Sequence, residues 1–435
     1  MGNGNSIWAR EHIKIGYYRK DGQSEWTKIF DRDTAVGTGK IDEEYFDQYM
    51  SFAGFSNDPN HIYVIATDDK NKLSLYLYDV IENQKIEKIA SHEKYDITGV
   101  SFDRDYNLEA YFVNVDKPQF FPVSDKAKKV KKVFDQNFPG STITIESVSE
   151  NRDKYVFKIS SSTDPGSFYL LDFNSNQMNL LGYNYRSLDV EKLSEQVGIK
   201  YTARDGLEIP GFITVPDENK NKPSPLVVLV RPSAIGKTTW GFDWWVQFLA
   251  SRGYSVLQVN QRGSNGYGVD FLTAGFFELG GKMLEDINDG AKWAIQNGYA
   301  KKDKVCVMGR GNFGGYAAIQ SPIIEKGLYN CSVAYDPMIN FKDYVRSLDS
   351  TYIEKKGMDI DGMSPYLRRD EFDIPILMFK TQSGVVQNGN RYDRFFNALE
   401  ENNIENSIVD LRQEASPDVV FLNELEAFLE KHLKN

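Results

Sequence analysis

One segment of the sequence, residues 304–318, has the residue types and spacing of a catalytic turn. Its first half is apolar and its second half is rich in glycine and alanine, which predicts a buried parallel strand turning sharply into a helix. In acyl-transfer enzymes built in this way, the residue at the tip of the turn is the nucleophile. Here Asn312 stands two residues before Gly314 and Gly315. Because an amide side chain is not a nucleophile, the sequence predicts a catalytic turn that has lost its reactive group.

The histidines support the same interpretation. A serine or cysteine nucleophile at neutral pH needs a nearby base to take its proton. The four histidines of the sequence are His12, His61, His92 and His432, and only His432 lies in the same half as the turn. A G-x-S-x-G pattern does not occur in the sequence, and its nearest approximation, residues 262–266, lacks the first glycine.

Two other arrangements could do chemistry. Ser383 follows Lys380 by three positions, and a serine–lysine pair can act as nucleophile and base, although a solvated lysine is the more ordinary interpretation. Glu285, Asp286 and Asp289 could suggest a metal site. These carboxylates share a helical face only in part and have no neighbouring histidine or cysteine, so helix caps and solvated charges are favoured.

The remaining motifs indicate packing, and the sequence predicts no cofactor and no metal. The glycines between positions 309 and 315 lack the G-K-[ST] ending of a phosphate loop, so they are assigned to tight turning and close helix packing. The only two cysteines, Cys306 and Cys331, each lie in an apolar run, and we interpret them as small buried core residues.

Composition limits the partners that the chain can have. A formal net charge of -11 disfavours nucleic acid, and no apolar run approaches the roughly 20 residues of a membrane span. Residues 1–6 lack the features of a signal peptide but match the loose M-G-x-x-x-[ST] pattern for myristoylation at Gly2. Because no polybasic patch follows them, a membrane partner is not expected. We expect a cytoplasmic location, or a periplasmic or secreted one if a signal peptide has been removed.

Residues 1–190 predict an all-β domain. Apolar or alternating runs recur between turn residues at the even spacing of a β-propeller. At about 40 to 50 residues per blade, the segment holds roughly four blades, which predicts a small or incomplete ring that lacks blades of a longer parent. The candidate strands are 61–66, 73–78, 108–113, 155–159 and 168–172.

Residues 191–435 predict an α/β domain. A hairpin around Asp205 and Gly206 is followed by alternating strands and helices, which requires a mostly parallel sheet. Candidate strands are 226–230, 255–259, 304–308, 332–335, 374–379 and 407–411. Candidate helices are 240–252, 283–297, 388–401 and 418–434.

Residues 247–254, 259–268, 286–290 and 313–318 of this second domain resemble the prolyl oligopeptidase family of serine peptidases. Residues 164–170 of the first domain are similar to the late propeller blades of its bacterial acylaminoacyl-peptidase-like members. The resemblance implies an α/β-hydrolase domain with a doubly wound sheet, capped by a β-propeller. It also implies cleavage of short peptides by a serine, histidine and aspartate triad.

The family's reactive residues do not carry over. Asn312 stands at the position of the nucleophile, Ser383 at that of the acid, and Ser416 at that of the histidine. The oxyanion-equivalent positions are Arg231, Pro232 and Phe313, and the proline has no backbone N–H to offer. The strand before Asn312 is also one residue longer than the family pattern.

We therefore predict a degenerate member of the family, a pseudo-peptidase that retains binding of a peptide or protein partner in the cleft between the two domains. Arg231, Asn312, Phe313 and Lys380 would line that cleft. Arg231 would either clamp a ligand carboxylate or pair with a nearby Asp or Glu. One alternative is a working hydrolase with an unorthodox or borrowed site. The other is a structural subunit of an oligomer or larger assembly, since incomplete propellers expose strand edges.

Overall fold

The computed structural model of the chain describes residues 6–10, 13–20, 22–32, 49–114, 116–220, 222–341, 361–381 and 391–434. These residues form two compact units. The first unit comprises the described residues up to Thr142 together with Asn265–Thr273, and the second comprises Ile143–Ser264 and the described residues from 274 onwards, to residue 434. The domain boundary near residue 190 stays a prediction.

Antiparallel sheets build the first unit, as the alternating pattern predicted. Within each sheet, strands that follow one another in sequence are hydrogen-bonded neighbours, as in propeller blades. The three sheets are β1 (Ser6–Arg10), β2 (Ile13–Arg19) and β3 (Thr27–Arg32); β4 (Met50–Phe55), β5 (His61–Thr67), β6 (Leu73–Asp79) and β7 (Gln84–Ala90); and β8 (Ile97–Phe102), β9 (Leu108–Asn114) and β10 (Pro118–Pro122).

The central sheet of the first unit is covered on both faces. Alternate residues of β5 enter different apolar clusters, because successive side chains of a strand point to opposite faces. Ile62 and Val64 pack with Tyr18 from β2. Tyr63 and Ile65 pack instead against the cluster built around β8 and β9. This arrangement is that of sheets stacked face to face.

The first unit also contains a helix that the sequence analysis missed. Helix α1 (Asp125–Asn137) begins after Ser124, whose hydroxyl accepts the Ala127 N–H at 3.1 Å. Ala127, Val130 and Phe134 are buried on one face. Their spacing of three and four residues is helical, so the prediction of strands alone over residues 1–190 was wrong here.

The second unit contains a four-stranded antiparallel sheet and an eight-stranded mixed sheet. The strands of the first are β11 (Thr142–Val148), β12 (Lys154–Ser160), β13 (Ser167–Asp172) and β14 (Gln177–Tyr183). Those of the second are β15 (Gln196–Thr202), β16 (Glu208–Thr214), β17 (Ser224–Val230), β18 (Ser255–Val259), β19 (Ala300–Arg310), β20 (Cys331–Tyr335), β21 (Ile376–Lys380) and β22 (Asn406–Asp410).

The remaining helices alternate with the strands of the large sheet. They are α2 (Trp244–Ala250), α3 (Val269–Thr273, in the first unit), α4 (Lys282–Gln296), α5 (Gly311–Ile324), α6 (Arg391–Glu401) and α7 (Pro417–Leu429), which continues as a π-helix over Glu430–Lys434. Among the described helices, none is long and apolar enough to cross a bilayer.

The large sheet has the order β15-β16-β18-β17-β19-β20-β21-β22, with β15 and β16 antiparallel and the neighbours from β18 to β22 parallel. This is the doubly wound α/β-hydrolase sheet that the sequence predicted. The predicted hairpin is present as well, since β15 pairs with β16 from Thr202 and Glu208 outward. The chain reverses at Gly206, whose φ is 94°.

The two cysteines lie at facing positions of adjacent parallel strands. Cys306 of β19 and Cys331 of β20 are register partners, both are fully buried, and their Cα atoms are 4.7 Å apart. The structure joins them as a disulfide. Burial was predicted, but their assignment as separate core residues was wrong, because sequence spacing does not show which positions of two parallel strands face each other.

Helix α5 contains a proline, and a residue of the neighbouring strand β20 supplies the hydrogen bond that the proline cannot donate. Pro322 has no N–H, so the carbonyl of Ala318 loses its normal partner within the helix. The hydroxyl of Ser332 in β20 donates to that carbonyl at 2.7 Å, and Ser332 is fully buried. One hydroxyl therefore satisfies a carbonyl that would otherwise be left without a partner.

Replacing Ser332 with alanine should lower the free energy of unfolding by about 1–3 kcal/mol, because the Ala318 carbonyl would then be buried without a hydrogen bond. Urea denaturation measures this. In a Pro322→Ala background the helix supplies its own N–H, so Ser332→Ala should cost much less there. An equal cost in both backgrounds would show that the hydroxyl does not serve this carbonyl.

Candidate functional site

The strand-to-helix turn lies between β19 and α5. Gly311 has a φ of 63°, which makes it the residue in the strained backbone conformation at the tip of the turn. Asn312, which the sequence analysis placed at the nucleophile position, follows it as the second residue of α5. The extra residue in the strand accounts for this offset. Gly311 has no side chain and Asn312 carries an amide, so neither supplies a nucleophile.

The backbone N–H of Phe313, the residue after Asn312, is hydrogen-bonded within the protein. In hydrolases of this architecture, the N–H of the residue after the nucleophile and an N–H from a neighbouring loop stabilise the oxyanion. Here the Phe313 N–H donates to the Pro232 carbonyl oxygen at 3.2 Å. Pro232 itself has no N–H. The two oxyanion-equivalent residues therefore bind each other.

A pocket of about 290 Å³ opens beside the turn. All eight of its lining residues are uncharged, and only Ser233 and Asn312 have polar side chains. The Ser233 hydroxyl accepts the Gly236 N–H at 3.2 Å. The apolar lining residues are Pro232, Ala234, Ile235, Leu279, Phe313 and Met338. Such a lining suits an apolar group with one neutral polar contact.

Arg231 supports the wall of this pocket and is buried. Its guanidinium uses all five N–H groups within the protein. The acceptors are the carbonyls of Ser233, Ala234 and Val259, at 3.0, 3.2 and 3.0 Å, and the side chains of Asn260 and Ser264, at 3.2 and 2.6 Å. Among the described residues these acceptors are carbonyl, amide and hydroxyl oxygens, so the clamping of a ligand carboxylate and the pairing with an Asp or Glu stay predictions. Arg231 thus orders the loop that carries Ser233 and Ala234.

Part of the sequence matches a known protein family. Residues 240–386 match the sequence profile of the prolyl oligopeptidase family. The dipeptidyl aminopeptidase BIII of Pseudoxanthomonas mexicana is 25% identical over 304 residues, which is 68% of this chain and 44% of that protein. The dipeptidyl peptidase family member 6 of Caenorhabditis elegans is 25% identical over 388 residues, 80% of this chain and 52% of that protein.

The chain is similar to members of the prolyl oligopeptidase family.

Solved structures agree on the fold. A puromycin-hydrolyzing peptidase of Mycobacterium tuberculosis superposes with a TM-score of 0.78 at 14% identity, covering 99% of this chain and 69% of that one. Dipeptidyl peptidase 4 of Porphyromonas gingivalis gives 0.72 at 15% identity, covering 99% and 62%. The predicted fold class, an α/β hydrolase with an N-terminal β-propeller-like domain, is confirmed. The chain spans about half the length of the curated relatives it matches.

The prolyl oligopeptidase family is one of serine peptidases. Of the two positions matching its acid and histidine, only Ser416 lies among the described residues. Ser383 lies outside the described residues. Lys380 ends β21, and its ammonium lies 3.6 Å from Asp393 and 5.3 Å from the ring centre of Tyr392. Ser416 caps the start of α7 without a side-chain hydrogen bond to the helix. Of the residues that the structure describes, neither Lys380 nor Ser416 lines the pocket.

The histidines are engaged elsewhere. His432 lies 3.2 Å from Glu405, which precedes β22 at the amino end of the parallel strands, whereas Gly311 follows the carboxyl end of β19. His61 contacts Asp58 and Asp79, and the ring nitrogen of His92 accepts backbone N–H groups. His12 lies outside the described residues.

Arg262, Asp286 and Asp205 form an ion triad that the sequence analysis missed. Arg262, only 3% exposed, binds Asp286 through Nε and Nη2 at 2.9 and 2.7 Å. Its other donors reach Asp205 at 2.6 and 2.9 Å. Arg204 binds the neighbouring Asp289. The helical carboxylates that could have suggested a metal site are therefore arginine ligands, and Asp286 is fully buried.

Replacing Arg262 with methionine should lower the free energy of unfolding by about 3–5 kcal/mol, because Asp286 would be buried without its counter-ion. Arg204, whose side chain is 39% exposed, provides the matched control. Arg204→Met should cost no more than about 1 kcal/mol. Guanidinium denaturation compares the two, and equal costs would contradict a special role for the buried Arg262–Asp286 pair.

The same triad predicts how the stability of the protein changes at acidic pH. Hydrogen bonds from Arg262 lower the pKa of Asp205 to about 2, from the ordinary value of 3.8. The stability that this shift contributes is complete above the ordinary pKa and is lost as the pH falls through the lower one. Asp205→Asn should therefore flatten the dependence of unfolding free energy on pH between about 4 and about 2. An unchanged slope in that window would contradict the assignment.

Proposed function

We propose that this member of the serine peptidase family does not hydrolyse peptides and instead binds an apolar segment of a peptide or protein partner in the pocket beside Gly311. The observation that carries the proposal is the hydrogen bond from Phe313 to Pro232. This bond occupies the N–H of the residue after Asn312, which is the position that the family's sequence pattern assigns to the nucleophile. Electrostatic stabilisation at that position is usually the largest single contribution to acyl transfer.

The other catalytic requirements support the same conclusion. Acyl transfer of the family's type needs a hydroxyl or thiol at the turn and an imidazole within hydrogen-bond reach of it. The turn carries Gly311 and Asn312 at the carboxyl end of β19. His432 lies near the amino end of the parallel strands, beside Glu405. A turn without a hydroxyl or thiol, and with no imidazole near it among the described residues, would leave acyl transfer of the family's type without its first step.

The pocket defines what could bind in its place. Its volume of about 290 Å³ suits one large side chain. The uncharged lining offers no counter-ion, so an ionised ligand group would lose its hydration without compensation. Asn312 has both a donor and an acceptor on its side chain, which matches the N–H and C=O of a peptide group. The favoured ligand is therefore a neutral apolar residue within a peptide.

Blocked single residues test this specificity. N-acetyl-phenylalaninamide and N-acetyl-leucinamide should raise the melting temperature, because a ligand in hundredfold excess over its Kd stabilises the folded state by about 2.7 kcal/mol. Blocked aspartate and lysine amides should have no such effect. Differential scanning calorimetry measures the shifts.

A pocket variant and a surface variant complete the test. Ala234→Phe places a ring in the pocket and should abolish the shift given by the apolar probes. Val419→Phe, at an exposed position of α7, should retain it. The proposal fails if charged and apolar probes shift the melting temperature alike, or if Ala234→Phe still responds.

A further inference from the structure

Helix α1 carries a concentrated positive charge in an acidic protein. Five of its 13 residues are lysines and two are aspartates, whereas the chain has a formal net charge of -11. The lysines are Lys126, Lys128, Lys129, Lys131 and Lys132. The α/β-hydrolase site does not involve this helix, which belongs to the first unit. Its charge therefore requires a separate explanation.

Because of the way α1 packs against the protein, three of its five lysines are exposed to solvent. Ala127, Val130 and Phe134 are buried, and they fix one face of the helix against the protein. At 100° per residue, Lys128, Lys129 and Lys132 project from the opposite face, and all three are exposed. We call these three residues the lysine face.

Repulsion between the charges of the lysine face destabilises helix α1. Lys128 and Lys132 are four residues apart, and Lys129 and Lys132 are three apart, spacings at which like charges destabilise a helix by roughly 0.2–0.5 kcal/mol per pair. None of the basic residues lies in the last turn, where the helix dipole would favour them. Local rules are broken in this way most often at functional sites.

The ion pairs of α1 do not neutralise the positive charges at the centre of the lysine face. Asp125 lies 3.1 Å from Lys128 at one end, and Asp135 lies 2.7 Å from Lys131 towards the other. Within the described part of the chain, Lys129 and Lys132 make no side-chain hydrogen bond or ion pair. An external anion would relieve the repulsion between them.

We propose that the lysine face of α1 binds the surface of an anionic phospholipid bilayer. All five basic residues are lysines. A carboxylate-bearing peptide or a specific phosphodiester favours the planar, two-pronged donor of arginine, whereas lysine acts as a point charge towards diffuse anions. Lipid headgroups move laterally, so they can gather beneath lysines spread along a helix of about 20 Å.

The net charge of the protein does not oppose this binding. At physiological ionic strength, charges separated by more than about 8 Å are largely screened, so a bilayer responds mainly to the face it touches. The expectation that a membrane is not a partner rested on the N-terminal sequence, which is followed by no polybasic patch. Helix α1 supplies such a patch more than a hundred residues later.

Co-sedimentation with vesicles tests the proposal on the full chain. The protein should bind vesicles of phosphatidylcholine mixed with phosphatidylglycerol, should not bind phosphatidylcholine alone, and should dissociate as salt is raised. Replacing Lys128, Lys129 and Lys132 with glutamine keeps helix propensity nearly unchanged. At about 1 kcal/mol per lysine, this triple variant should bind about a hundredfold more weakly.

A matched variant separates the lysine face from general loss of charge. Lys222, Lys301 and Lys302 are exposed lysines of the second unit, and replacing these three with glutamine should leave vesicle binding unchanged. Circular dichroism checks that both variants are folded. Equal weakening by the two variants, or no binding of the wild-type chain to anionic vesicles, would overturn the proposal. Binding of poly-glutamate or heparin in preference to vesicles would also overturn it.

Discussion

Direct backbone contact between the start of α5 and the carboxyl ends of the central strands is the constraint on which the second unit depends. A Cβ atom at Gly314 would lie 2.5 Å from the carbonyl oxygen of Val230, and one at Gly315 would lie 2.5 Å from the Cα of Pro337. No side chain fits at either position. The helix can approach the sheet only with glycine there, whether or not the turn before it carries out chemistry. The glycine pattern of a hydrolase therefore persists as a packing requirement.

That close approach sets the geometry of the candidate site. It brings the Phe313 N–H to the carbonyl of Pro232 and places Asn312 on the wall of the pocket. Two buried arginines hold the opposing loops. Arg231 binds loop carbonyls with all of its donors, and Arg262 joins the β15–β16 hairpin to α4 through Asp205 and Asp286. The Phe313 N–H and the guanidinium groups of both arginines are therefore hydrogen-bonded within the protein.

The sequence predicted the parts of this structure that depend on local patterns. Strand β18 has the bounds expected from its apolar run, and the remaining strands of the parallel sheet differ from prediction mainly at their ends. Helix α1 was missed although its apolar residues have helical spacing, because the surrounding strands dominated the interpretation. Such patterns could not predict contacts between residues that are distant in sequence. The Cys306–Cys331 pairing, the partners of Arg231 and the Arg262 triad all depend on register and loop course, which periodicity does not encode.

Intact-mass spectrometry of the chain after incubation with a fluorophosphonate tests the central claim most directly, with an active serine hydrolase in the same tube as a positive control. A fluorophosphonate reacts with a serine only where a base and an oxyanion site activate it. The account predicts that the control gains the mass of the adduct and that this chain does not. A stoichiometric adduct on a serine of the second unit, lost when the protein is denatured before incubation, would contradict it.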